Sequence, residues 1–284
     1  MDDLSKYSGE EHMQSAPRLD TNFLRLNGKK GYFELIKMTE PKVRDEKTGR
    51  DVYATENLGP QIDVIFLRIR RKLVEKLESK PGLSTPKPAS SNEHNHKGER
   101  LMLWVEKIKE NNKRETHVEY GTSDELRAKY DKLRTQQIVY VLYRGELVRL
   151  TVKGAALGSE AKAKDVASFY DYIASFKTNP QARDGEKDHF YDFVTELHVV
   201  EEANDMGEYY AMTFKRGIPN PPEIMQNVGH AMRMVYDFVT ESDEYYGNKI
   251  TAKKPVIETE PVIQLDEVEV DFNQLGHQEE DVAF

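Results

Sequence analysis

The chain has no cysteine, one tryptophan in 284 residues, and no long apolar run. Without thiols there are no disulfides, no Cys-based zinc sites and no thiol nucleophile, and a reducing cytoplasm is the simplest fit. No hydrophobic stretch approaches the ~18 residues of a membrane span, and the first 15 residues are polar and acidic, unlike a signal or transit peptide. No membrane partner is expected. Enzyme signatures are missing too. There is no P-loop Gly-Lys-Ser/Thr, no Rossmann glycine fingerprint and no Gly-x-Ser-x-Gly elbow, so neither a catalytic activity nor a cofactor is expected.

What the chain does have is aromatics and charge. It carries 15 Tyr and 11 Phe, and 38% of its residues are hydrophobic, enough for a folded core. The net charge is −9, from 41 basic and 50 acidic side chains, and it is unevenly placed. Residues 255–284 hold nine acids and no Lys or Arg; the rest of the chain has 41 of each sign. An electrically balanced body therefore carries an acidic tail. Blocks of like charge repel themselves and tend to remain unfolded as interaction segments.

Three polar segments divide the chain: an N-terminal arm at 1–20, an insert at 79–99 rich in Pro, Ser, Asn and Lys, and everything from 247 onward. The expected domain is 21–246, interrupted by a flexible insert. Strand signals dominate it. Gly31–Met38, Ile62–Leu73 and Leu101–Ile108 are β-rich, Gln137–Lys153 reads as a hairpin turning at Arg144-Gly145, and a second hairpin joins His189–Val200 to Glu208–Lys215. Helices are predicted from the Thr122/Glu125 capping box, over Ser159–Phe176, and after Pro221-Pro222, where Ile224, Val228, Val235, Phe238 and Val239 share a face. Neighbouring strands joined by hairpins predict a mainly β protein with inserted helices (α+β), its sheet antiparallel and barrel-like.

The most informative strand is Val64–Lys72. Simple alternation places Ile65, Leu67 and Ile69 on one face and Phe66, Arg68, Arg70 and Lys72 on the other. Cations that neutralise phosphates, beside a ring that stacks on bases, are what a single-stranded nucleic acid surface requires. A charged edge strand protected from aggregation would look the same. The pattern recurs in Arg149 and Lys153 of the next hairpin and in Lys215-Arg216 at the end of the last strand. Trp104, Tyr140, Tyr143 and Tyr32 are the further aromatic candidates for stacking, although a lone Trp more often packs in a core.

The chain ends Glu279-Glu280-Asp281-Val282-Ala283-Phe284: acids, small apolar residues, then a terminal ring with its carboxylate. Such a tip fits an apolar pocket flanked by an Arg or Lys, with the acids steering it to basic surfaces. Here the sequence resembles the single-stranded DNA-binding proteins of bacteria and phages, whose acidic C-terminal segment ends in Phe and whose bodies are OB folds. The resemblance is specific at the tip and extends to the body only in overall plan. The familiar ending has three Asp and Ile-Pro-Phe, where this chain has Glu-Glu-Asp and Val-Ala-Phe, and the body is about twice as long as the bacterial domain. A single-barrel phage type, in the host cytoplasm, is the nearer match.

The resemblance implies an elaborated OB-like antiparallel β-barrel with a disordered acidic tail. The protein would coat and protect single-stranded DNA in replication, recombination and repair. Glu279, Glu280, Asp281, Val282 and Phe284 would recruit partner enzymes such as a polymerase, helicase or primase, or nuclease. Residues 255–284, tethered at an effective concentration on the order of millimolar, would compete with DNA for the basic groove. A homo-oligomer is compatible with the sequence. The insert, with Lys80, Lys87 and Lys97, is expected to close over bound DNA.

Three other readings compete. RNA binding uses the same stacking and phosphate contacts. A structural or assembly protein would use the tail alone. A metal-dependent nuclease needs converging carboxylates, but Asp184, Glu186, Asp188, Glu201 and Glu202 fall mostly in expected turns. Glu93-His94-Asn95-His96 lacks the further ligands of a zinc site, and its letters are too close together for a His-Asn-His nuclease unit.

Overall fold

The computed structural model describes residues 16–45, 49, 51–76, 87–96, 98–109, 114–158, 166–176, 188–204 and 207–252. Strand β1 (Asn22–Asn27) turns into β2 (Tyr32–Ile36), and β5 (Thr55–Gly59) follows a small ribbon of β3 (Val43–Arg44) and β4 (Asp51–Val52). The long β6 (Gln61–Glu75) leads through β7 (Ser90–Ser91) to the hairpin of β8 (Arg100–Ile108) and β9 (Arg114–Thr122). Helix α1 (Ser123–Lys129) precedes the hairpin of β10 (Leu133–Tyr143) and β11 (Glu146–Val152). Two short helices, α2 (Ala155–Gly158) and α3 (Phe169–Ser175), and a 3-10 turn at Phe190–Asp192 lead to β12 (Phe193–Asn204) and β13 (Gly207–Pro219). The described chain ends in one long helix, α4 (Pro222–Ala252).

Turn chemistry explains the hairpins. Arg144 and Gly145 both take positive φ, 50° and 81°, the backbone twist that matches two adjoining strands. The β1–β2 turn needs Gly31, at φ 68°, because a Cβ there would lie 2.9 Å from the Tyr210 ring. Thr122 caps α1 reciprocally with Glu125, as the T-x-x-E spacing predicts.

The main sheet runs β5-β2-β1-β11-β10-β6-β7-β8-β9, with β12 added to β6 and β13 to β12. It is mainly antiparallel, but β1 joins β11 in parallel, Asn22 opposite Val148. The protein is thus mainly β with inserted helices, and its sheet is mixed and open. The expected closed antiparallel barrel is not formed. Between the β13 end and the β1–β2 turn there is a backbone hydrogen bond, Tyr210 N–H to the Gly28 carbonyl at 3.0 Å, but no ladder among the described residues.

Strand β6 is the hub. It pairs with β10 over Ile65–Glu75, with β12 over Gln61–Val64 and with β7 at Val74. The register slips between Tyr140, opposite Arg68, and Val141, opposite Phe66, so Leu67 is an extra residue: a β-bulge. The bulge resets which side chains share a face. Phe66 and Ile69 join the largest core, with Val139, Val141, Leu150 and the rings of Phe169, Tyr172 and Phe214. Ile65 and Leu67 lie on the opposite face with Ile138, Tyr140 and Leu142, covered by Val228, Ala231, Val235 and Val239 of α4. A third core, Leu73, Leu101, Leu103, Leu126 and Leu133, fills the β7–β9 and α1 end.

Three segment expectations change. The insert expected to lack structure supplies β7 and buries Ser91, Asn92 and His94, because β6 and β8 need a bridging backbone there. Within the expected 159–176 helix only α3 is helical among the described residues. Helix α4 runs past the expected boundary at 246 to Ala252. Lys80, Lys97 and residues 253–284, including the tip, lie outside the described residues.

Candidate nucleic-acid interface

The face of β6 that α4 covers carries Arg70 and Lys72, paired with Ile138 and Gln136 of β10. Beyond the last buried valine of α4, Val239, helix and sheet separate into a polar cleft of about 150 Å³. Arg70, Lys72, Trp104 and Arg149 line it, brought from β6, β8 and β11, together with Glu93 and Tyr246. Four of the sequence-predicted residues therefore meet at one place.

Their charges are partly answered from within. Arg70 is 1% exposed; its Nη1 donates to Asp243 of α4 at 2.9 Å, and its Nη2 to the Glu93 carbonyl, also at 2.9 Å. Arg149 reaches the Glu93 carboxylate at 3.4 Å and stacks over the Phe23 ring at 4.2 Å. Tyr140, fully buried, donates its hydroxyl to Glu93 at 2.8 Å. Burial, reinforced by the Glu93 charge, drives the Tyr140 hydroxyl well above its ordinary pKa, so it is a donor at any physiological pH. Yet the Nε–H groups of Arg70 and Arg149, both buried, find no acceptor among the described residues. The lining of the cleft carries three cations, Arg70, Lys72 and Arg149, against the one carboxylate of Glu93, and chemically it favours an anion.

The aromatic expectations divide. Trp104 is half-buried beside Tyr246, ring centroids 5.8 Å apart and edge to face. Phe66 and Tyr140 are both 0% exposed, which corrects their expected place on an open binding face: the bulge turns Phe66 into the main core, and α4 seals Tyr140 against Phe238. Tyr143 is buried at the β10–β11 turn with Arg144 over its ring, and Tyr32 is half-buried at the β1–β2 turn.

The remaining cations lie elsewhere. Arg68 is half-buried on the α4 face, and Lys153 is exposed at the end of β11. Lys215 pairs with Glu196 at 3.2 Å. Arg216 pairs with Asp188 at 2.9 Å and lies over the rings of Phe176 and Phe193, at 4.0 and 4.6 Å. The single basic surface expected from the sequence is thus resolved into the α4 cleft and a separate β12–β13 group.

Sequence reasoning weighed Glu93 only as a metal ligand and missed Asp243 and Tyr246. The signal for Asp243 and Tyr246 was the helical spacing of α4, in which Val235, Val239 and Asp243 follow one another at i+4 and Tyr246 follows Asp243 at i+3. Among the described residues no three His, Cys, Asp or Glu side chains converge as a metal site, and no helix is long and apolar enough to cross a membrane. Comparison with protein-family models, curated proteins and solved structures finds no match for this chain.

Proposed function

We propose that this protein binds single-stranded DNA without strong sequence preference, protects it, and presents it to replication, recombination or repair enzymes through its acidic C-terminal tip. The observation that carries the reading is the cleft under α4. There the sole tryptophan meets three cations, Arg70, Lys72 and Arg149, against one lining carboxylate, Glu93. Phosphate oxygens answer such cations, and an indole face accepts any base, so the combination suits a ligand with a uniform backbone and variable bases. The acidic block at 255–284 supports the same reading as an internal competitor for cations.

The test is a salt-titrated oligo-dT binding curve for the full chain and for a chain ending at Lys254. Both should bind, with log affinity falling linearly in log salt at about −0.7 per phosphate neutralised. The shortened chain should bind more tightly at low salt and the two should converge at high salt. The double variant Lys72→Gln, Arg149→Gln should show a shallower slope. No affinity for oligo-dT in any of these forms would end the proposal, and a clear preference for oligo-U would redirect it to RNA.

A further inference from the structure

Helix α4 is anchored unequally along its length. Its first half packs Val228, Ala231, Val235 and Val239 against the sheet, each at most 4% exposed. Beyond Val239 the buried residue is Ser242, and the contacts that hold the helix to the body there include the Asp243 pair with Arg70 and the Tyr246 ring against Trp104. Asp243 and Tyr246 are three residues apart and share one helix face.

These two side chains do to the cleft what one nucleotide would do. The Asp243 carboxylate takes the place of a phosphate on the Arg70 guanidinium, and the Tyr246 ring takes the place of a base against the indole. We infer that the C-terminal part of α4, from Ser242 onward, is a built-in nucleotide mimic that occupies one nucleotide subsite, and that single-stranded DNA gains Arg70 and Trp104 by displacing it. The inference rests on the single-stranded DNA reading above and adds to it the regulation of that site. The chemistry of the exchange is balanced in charge: one carboxylate leaves Arg70 and one phosphate arrives. The Asp243 side chain is 39% exposed, so solvent and ligand reach the ion pair from outside. Its helix neighbours Glu241 and Glu244 are acidic, so an incoming phosphate backbone repels the segment it replaces. In the sequence, Lys253 and Lys254 separate the end of the helix from the acidic block at 255–284.

The absence of native cysteine makes the test selective. In the full chain, Ser90→Cys and Ser242→Cys place one thiol on each side of the cleft, to be bridged by a reducible bifunctional thiosulfonate. Bridging should weaken oligo-dT binding by about 5- to 150-fold, the range for one stacked base, and reduction should restore it. Tyr246→Ala, which leaves the Arg70–Asp243 pair intact, should bind more tightly than the parent. As the single indole, Trp104 reports the event directly: its emission should change on oligo-dT binding in the reduced protein and not in the bridged one. Equal affinity of bridged and reduced protein would overturn the mimic while leaving the DNA-binding reading in place. Absence of oligo-dT binding by the parent, the reduced protein and Tyr246→Ala alike would overturn both.

Discussion

His94 is 1% exposed, and its backbone exchanges hydrogen bonds with Arg71 at 2.8 and 2.9 Å, tying the segment after β7 to the hub strand. Burial lowers its pKa below the ordinary value; the cations of Arg70 and Arg71 act in the same direction, while the Asn92 backbone and the Glu99 carboxylate oppose them. A histidine kept neutral in the fold but free to protonate when unfolded stabilises the protein above about pH 6.5. That contribution is lost as pH falls towards the lower folded value. Urea unfolding between pH 7.5 and 5 should therefore show a falling acid limb in the parent and a flatter one in His94→Gln; equal slopes would remove His94 as its source. At the alkaline end, burial raises the Tyr172 hydroxyl, which is hydrogen-bonded to Thr195 at 2.7 Å, to about 12. It contributes stability below its unfolded pKa of about 10 that is lost as pH rises towards 12. In a tyrosinate absorbance titration, Tyr172→Phe should remove one late-titrating group.

Among the elements, β6 shows how a single inserted residue reassigns chemistry. Read as plain alternation, Phe66 belongs with Arg68, Arg70 and Lys72; the bulge at Leu67 puts it on the opposite face, in the aromatic core. Leu67→Ala should lower stability by about 2–5 kcal/mol, as for other buried leucines. Deleting Leu67 removes the extra residue and leaves Phe66, Arg68, Ile69 and Arg70 alternating on the faces they already occupy, so a cooperative thermal transition should still be seen by circular dichroism. Inserting an alanine after Ile69 should instead flip one half of the strand and abolish that transition. An insertion tolerated as well as the deletion would show that the register of this strand does not set the faces. Local devices were legible in the sequence: the Arg144-Gly145 turn, the Thr122/Glu125 cap and the apolar stripe of α4 each depend on residues within a few positions. The bulge was not legible, because its evidence is the partner strand. Nor were the cleft's internal partners, since Arg70 meets Asp243 from 173 residues away and Arg149 meets Glu93 from 56. The mainly β character followed from alternation, whereas barrel closure depends on which distant edges meet, and periodicity carries no record of that.

At the scale of the molecule, all three cores share β6: Phe66 in the first, Ile65 in the second, Leu73 in the third. Loss of this strand exposes every core, so unfolding should be a single cooperative event. Trp104 emission, reporting the α4 cleft, and far-ultraviolet dichroism, reporting the sheet, should give superimposable urea transitions; separated midpoints would show that the β7–β9 end unfolds on its own. The parallel pairing of β1 with β11 has a consequence in time. Val148 follows Asn22 by 126 residues. At a synthesis rate of about 5–20 residues per second, the β1–β2 hairpin waits on the order of 6–25 s on the ribosome before its long-range neighbour exists. During that interval its backbone edge is an exposed template, and the birth of this protein is the period in which it is most open to the wrong company.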